Sequence, residues 1–562
     1  MLQENRRKYL ALSVGIFAAV LFVLLKFVGI HYAINDDIAF REILNGSMNG
    51  TSDAHLVFVK YILGCFFSLF YRLSSSIDWY GIISFSVIII SIFSVFLCFL
   101  DKTLDQKDFI LLVLFSFVFS LITYGKDILF MQWTDTAVIA GSTGMFLVYT
   151  DHGNQLWKKI LILFMFMFSY LLRSKCFFMM LPVLFVLLLN KWNFHFSLSD
   201  LQIRERINKM NCAFLAIFLG VVCISSIVER QAYRSEDWQK YRQYNSARSA
   251  LWDYYGVPPY DANKAFYDSL SLDSDDVNMI CMYGTNMING LDEVKITRIA
   301  DLAKEQYINS HPVIVRLKDL LKGYYSVVTG SDYIFLEIEL VVLSVTLLLT
   351  QHNKKTNFTV MGIWMMGILM ISFLIWTLRY PPRVIRGILM IQNVALLAML
   401  WPFYPMLMNR RTAAVLLALA LPFTLLKCAK LTYSVLTLRR NDQDTLALEQ
   451  YVNSHSDNIF IEEARVEPNH QFLLSHERKA LKMIPTGGWT TLAPFRQQQL
   501  DILGIKDFVQ SVSNDDRIIL VVNEWDDPRY LVKYLKNKGY SVHLHELEDM
   551  PQLRGYKLYQ LN

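Results

Sequence analysis

The chain has 562 residues, of which 54% are hydrophobic, 14% aromatic and only 18% charged. That balance excludes an ordinary water-soluble globule, because apolar runs of about 18–23 residues, enough for a helix to cross a bilayer, recur along it. The net charge of +5 is too dilute to point to nucleic acid, and the seven cysteines form neither a disulfide framework nor zinc-type spacing.

Arg6, Arg7 and Lys8 precede the first apolar run, 9–30, and predict a cytoplasmic N-terminus. The run is too long for a signal-peptide core and no small-residue cleavage pattern follows, so it reads as a retained helix. Directly after it, "INDDIAFREILNGSMNGTSDAH" (34–55) carries adjacent acids beside the membrane exit. Further spans are predicted at 56–73, 79–100, 108–124, 132–150, 160–172, 176–190, 211–228, 333–350, 358–378, 387–408 and 412–430, twelve or thirteen crossings in all. Short basic segments at 151–159, 191–210, 351–357 and 409–411 belong inside by the positive-inside rule. That leaves 31–55, 229–331 and everything after about 431 outside. One parity conflict results. Five candidate spans precede 151–159 where an even number is needed, and 56–73, short and carrying Lys60 and Arg72, is the weakest.

The fold class expected is therefore an all-α polytopic membrane domain over 1–430, with a small extracytoplasmic α/β domain over 441–562. In the latter, "RIILVVNEW" (517–525) reads as a strand, "DPRYLVKYLKNKGY" (527–540) as a helix ending at glycine, and "SVHLHELE" as an alternating strand. The long loop 229–331 is polar, rich in Tyr and Trp, and punctuated like short surface helices. Its aromatic residues could stack on sugars or form an interfacial belt.

Three places carry chemistry. Asp36 and Asp37 sit within a few residues of a membrane exit. One reading makes them solvating acids; the other makes one a general base and its neighbour an orienting or metal-facing partner. "SYLLRSKCFF" (169–178) puts Arg173 and Lys175 at an outer turn, against the positive-inside trend. "TLRYPPRVIRG" (377–387) puts Arg379, Arg383 and Arg386 around a stiff Pro-Pro turn, also outside. Arginine forks bind phosphate, and a lipid-carrier phosphate is the obvious anion at that height; the alternative is contact with lipid headgroups. Lys60 is either a further phosphate contact or a snorkelling side chain. "GGWTTLAP" (487–494) reads equally as a tight turn with a packing aromatic or as a carbohydrate contact.

This plan resembles the GT-C class of membrane glycosyltransferases, which includes protein O-mannosyltransferases and lipid A aminoarabinose transferases. "NDDIAFREILNG" looks like the acidic motif of their first outer loop, "HLVFVKYILGCFFSLFYRL" like the second-helix region carrying a lysine, and "LLRSKCFF" like the mid-chain basic turn. The chain looks closer still to a group of bacterial polytopic membrane proteins sharing segments like "YNSARSALWDYYGVPPYD" (244–261) and "GGWTTLAP", a likeness that adds no chemistry. Asp-Asp stands where the mannosyltransferases have Asp-Glu, and their Lys-Pro-Pro is absent, which leaves the donor type open.

The resemblance implies inverting transfer of a sugar from a polyprenyl-phosphate donor to an extracytoplasmic glycan, lipid or protein. Asp36 or Asp37 would be the base, and Arg173, Lys175, Arg383 and Lys60 would hold phosphate. It also implies that a divalent cation, Mg or Mn, is compatible with the chemistry, although no ligand cluster demands one. The other readings are a transporter or flippase of lipid-linked glycans, and a non-catalytic scaffold for envelope assembly.

Overall fold

The computed structural model describes residues 2–103, 105–151, 155–191, 209–331, 333–351, 353–407, 410–463, 480–547, 553 and 555–561. Most of the basic segment expected inside at 191–210, and part of that at 409–411, lie outside the described residues.

Helix α1 (Leu2–Val23) continues as a π-helical turn to Val28 and stops at Gly29, whose φ of 83° suits a residue without Cβ. Strand β1 (His31–Tyr32) and the short helix α2 (Asn35–Leu44) follow, then α3 (Tyr61–Leu73), α4 (Trp79–Leu100) and α5 (Gln106–Leu129). Asp78 and Asp105 accept backbone N–H bonds at the starts of α4 and α5 and so fix where each begins. Strand β2 (Phe130–Met131) pairs in parallel with β1, His31 opposite Phe130 and Tyr32 opposite Met131, and leads into α6 (Trp133–Thr150). This two-residue ladder ties the start of α2 to the start of α6.

Helix α3 has only 13 residues. At 1.5 Å per residue it reaches about 20 Å, short of a hydrocarbon core of about 30 Å. This agrees with 56–73 being the weakest of the five candidates; of the described helices before residue 151, α1, α4 and α5 are long and apolar enough to span.

Helix α7 (Leu156–Lys191) breaks at Arg173, where φ −153° and ψ 93° are extended. Its two halves run back along α6. Ser169 near the break donates to the Ala137 carbonyl, while Lys159 and Lys191, at opposite ends of α7, both reach Asp151 beyond the other end of α6. The expected turn between two spans is therefore a reversal centred on Arg173.

The apolar α8 (Lys209–Ala232) leads into the long loop, which folds as α9 (Glu236–Ser249) and a π-helical turn at Ala250–Tyr255. Helices α10 (Lys264–Ser269), α11 (Ser274–Cys281), α12 (Glu293–Ser310) and α13 (Val313–Val328) complete it. The bundle closes with α14 (Ile334–Thr350), α15 (Lys354–Trp376), α16 (Pro382–Leu400), the single turn α17 (Tyr404–Leu407) and α18 (Arg410–Ser454).

By length and apolar character, eight of the described helices can cross a membrane, and this is a multi-pass membrane protein. The expected twelve or thirteen crossings exceed that count. The reversal in α7 adds one, and α6 and α14, of 18 and 17 residues, pack in the same bundle. Phe22, Phe117, Phe185 and Ile227 are exposed on the spans, as lipid-facing side chains should be.

Helix α18 runs 45 residues, straight through the expected domain boundary at 441. Beyond it, β3 (Ile459–Glu462), β4 (Met483–Pro485), α19 (Pro494–Leu503), α20 (Phe508–Asn514), β5 (Ile518–Asn523), α21 (Arg529–Asn537), β6 (Leu544–Glu546) and β7 (Tyr556–Leu561) form the α/β unit. Its sheet order is β4-β3-β5-β7-β6, with β4, β3 and β5 parallel and the last two joins antiparallel. Alternation sends Phe460, Ile519 and Val521 against Leu448 and Val452 of α18, and Ile459, Ile518 and Leu520 to the other face.

Candidate functional site

Asp36 and Asp37 occupy the first turn of α2, where the helix dipole favours negative charge. Adjacent helical residues point about 100° apart, so the two acids part company. Asp37 is fully buried. Its Oδ1 accepts the Tyr80 hydroxyl at 2.6 Å and the Trp133 backbone N–H at 3.0 Å, which pins α2 to α4 and α6. Burial pushes its carboxyl well above the usual range. Asp36 instead lines a cavity of about 2010 Å³. Burial raises its carboxyl too, against the opposing charges of Arg383, Arg173 and Arg248 and the neighbouring Trp133 side chain.

The expected arginines separate. Arg173, at the reversal of α7, lies 4.0 Å over the Trp133 ring, hydrogen-bonds Thr134 and lines the cavity, as does Lys175. Arg383 follows Pro382 in the first turn of α16 and also lines it. Its Nε is buried without a hydrogen-bond partner. A cation in a helix's first turn opposes the dipole, and an unmet buried donor costs about 1–3 kcal/mol. An anion bound there would relieve both. Arg379 lines the cavity but is engaged, 3.1 Å from Asp253 and 2.9 Å from the Ser249 hydroxyl.

Arg386 does not join them. It is buried in the bundle, 2.9 Å from Asp127 and 3.9 Å from Asp135. Lys60 stands at the start of α3 with its ammonium 6.0 Å from the Tyr170 ring, and it does not line the cavity.

Arg248 and Trp133, not singled out in the sequence, and Trp489, the aromatic of "GGWTTLAP", complete the site. Arg248, at the end of α9, lines the cavity near Asp36. Trp133 carries the Arg173 guanidinium on its ring. Trp489 comes from the C-terminal unit. The visible signal for Arg248 and Trp489 was their place inside "YNSARSALWDYYGVPPYD" and "GGWTTLAP"; nothing local marked Trp133. Among the described residues, Arg173, Lys175, Arg248 and Arg383 have no carboxylate partner, and basic side chains outnumber the three lining acids, Asp36, Asp253 and Asp301. Between α7, α15 and α16 its lining turns apolar, with Phe178, Met179, Met366, Leu369, Met370 and Phe373.

The described residues contain no group of three or more His, Cys, Asp or Glu side chains placed to hold a metal ion. Asp36 offers a single carboxylate among guanidinium groups, a donor set that does not fit a divalent cation.

No protein family and no curated protein matches the chain. Among solved structures, it is similar to ArnT from Cupriavidus metallidurans in the apo state, at 10% identity over 97% of both chains with a TM-score of 0.41. It is likewise similar to ArnT from Cupriavidus metallidurans bound to undecaprenyl phosphate, at 11% identity, the same coverage and the same TM-score.

Proposed function

We propose that this chain is a membrane glycosyltransferase that moves a sugar from a polyprenyl-phosphate donor to a hydroxyl on the extracytoplasmic side. The observation that carries the reading is the meeting of Asp36 with Arg173, Arg248 and Arg383 in one cavity whose membrane-embedded wall is apolar. The donor phosphate sits against Arg173, Lys175 and Arg383, and its polyprenyl chain lies between α7, α15 and α16. Asp36 takes the proton from the acceptor hydroxyl as the oxygen attacks the anomeric carbon. The bond from that carbon to the phosphate oxygen breaks, the electron pair leaves with the phosphate, and the configuration inverts. Guanidinium groups already aimed at the leaving oxygen stabilise its growing charge without reorganisation. The same charges favour the ionised form of Asp36 that a base requires. Asp37 positions α2 and takes no proton from substrate. The N-terminus is cytoplasmic, and the outer loops and C-terminal unit are extracytoplasmic.

The test is mass spectrometry of polyprenyl-phosphate sugars and envelope glycans in a deletion strain carrying wild type or Asp36→Asn at matched protein level. The deletion and Asp36→Asn should both lose one glycan sugar while its lipid-linked donor accumulates. An Asp36→Asn strain that matches wild type, beside a deletion that does not, would remove the base and favour transport or scaffolding.

A further inference from the structure

The C-terminal unit is built into the cavity. The turn after β4 wedges against the long outer loop: the Asn286 backbone N–H donates to the Thr486 carbonyl at 2.8 Å, and its side-chain amide to the Pro485 carbonyl at 2.9 Å. The hydroxyls of Tyr241 and Tyr244 donate to the carbonyls of Trp489 and Gly488 at 3.0 and 3.3 Å. Two glycines make this approach possible. A Cβ on Gly487 would lie 1.7 Å from the Tyr283 carbonyl oxygen, and Gly488 holds φ at 117°. Gly488 and Trp489 are the residues this unit contributes to the cavity lining.

The Trp489 ring continues an aromatic wall. Its centroid is 5.1 Å from Phe58 and 6.3 Å from Phe40, and both lie within 6.0 Å of Trp133, the residue that holds Asp37 and carries Arg173. The wall therefore leads from the C-terminal unit to the neighbourhood of Asp36. Trp489 is half-buried and lines the cavity. An indole face is the surface on which the C–H side of a pyranose rests while the hydroxyls reach polar partners. The elements framing Trp489 lie outside the spans, whereas the apolar lining that suits a polyprenyl chain comes from α7, α15 and α16.

We infer that Trp489 is the platform for a sugar ring of the acceptor, which makes the acceptor a saccharide; this rests on the glycosyltransferase reading of the same cavity. Trp489 positions the ring so that one hydroxyl faces Asp36, and the two glycines hold the platform in place. The docking bonds come from backbone carbonyls, so removing the indole leaves the turn seated.

The test uses the full chain in lipid nanodiscs. Saturation-transfer NMR would read contact with the methyl β-glycosides of glucose, galactose and N-acetylglucosamine, while native mass spectrometry reads undecaprenyl phosphate on the same samples. At least one glycoside should receive saturation on its ring protons. Trp489→Ala should weaken that binding about tenfold, the loss of roughly one aromatic stacking contact, and Trp489→Phe should retain most of it. Undecaprenyl phosphate should bind all three proteins alike. No glycoside contact with wild type, or contact that Trp489→Ala leaves unchanged, overturns the platform while leaving the donor reading intact. Failure of undecaprenyl phosphate to bind wild type overturns the glycosyltransferase reading itself.

Discussion

Gly487→Ala puts a single methyl group into the contact between the C-terminal unit and the long loop 229–331. The new Cβ would lie 1.7 Å from the Tyr283 carbonyl oxygen, 2.7 Å from the Thr285 nitrogen and 2.9 Å from the Thr285 hydroxyl. Carbon and carbonyl oxygen rest roughly 3.3 Å apart, so the turn must withdraw by about 1.6 Å or the loop must yield. Two of the three clashing atoms are backbone, and no side-chain rotation relieves them. A withdrawal of that size breaks the four hydrogen bonds from Asn286, Tyr241 and Tyr244. At about 1 kcal/mol net for each, docking weakens by ~3–4 kcal/mol, or about two to three decades in the docking equilibrium. Hydrogen–deuterium exchange resolves this directly, because the Asn286 amide is held by the Thr486 carbonyl. Peptides covering 283–291 should lose protection by that factor in Gly487→Ala. Gly15→Ala, whose Cβ would meet nothing within 4 Å, should leave those peptides unchanged. Unaltered exchange at 283–291 in Gly487→Ala would refute the claim that the glycine is what permits the docking.

Substitutions at four further positions separate the roles of the charged residues. Asp37→Ala leaves the Tyr80 hydroxyl and the Trp133 N–H without an acceptor, each costing about 1–3 kcal/mol, while Asp37→Asn keeps Oδ1. Thermal unfolding in detergent should therefore fall much further for alanine, and the folded asparagine variant should keep its activity, whereas Asp36→Asn should lose about 10²–10⁴ in kcat. Burial raises the Asp36 carboxyl, and the base works only ionised, so activity should fall on acidification at a higher pH than the ordinary aspartate value of about 4. Arg383→Gln removes the largest opposing charge and should move that acidic limb further up; a limb that stays put or moves down contradicts the assignment. Arg386→Ala strips the partner from buried Asp127 and Asp135 and should cost about 3–5 kcal/mol, seen as lost folded yield, while the protein that does fold binds undecaprenyl phosphate normally.

Much of the plan is legible in the chain because bilayer thickness and helix rise fix how long an apolar run must be. The same arithmetic makes the observed 13 residues of α3 too short to cross. The boundary at 441 was not legible. Helix α18 continues beyond the apolar run, and its far end is held by packing against a sheet that begins only at Ile459. The site divides the same way. "NDD" announces an acid at the interface, but which acid faces the cavity is decided by Tyr80 and Trp133, 43 and 96 residues away. Arg383 and Arg386 sit on one helix and look alike in sequence. Only the second meets Asp127, 259 positions earlier.

Such long-range partners also bear on the competing explanation by lipid headgroups. Any single outer-loop arginine satisfies that explanation, so no one of these residues could decide the matter in sequence. Arg173, Arg248 and Arg383 come from the reversal of α7, the end of α9 and the start of α16, and they converge on Asp36. Like charges brought together in one cavity repel one another, as Arg383 and Arg379 do Arg173. One carboxylate does not neutralise three guanidinium groups. A fold that gathers them from three separate elements, and leaves the Arg383 Nε without a partner, is completed by an anion with acceptor oxygens to spare. A headgroup lying on the outside of the bundle would not require that convergence.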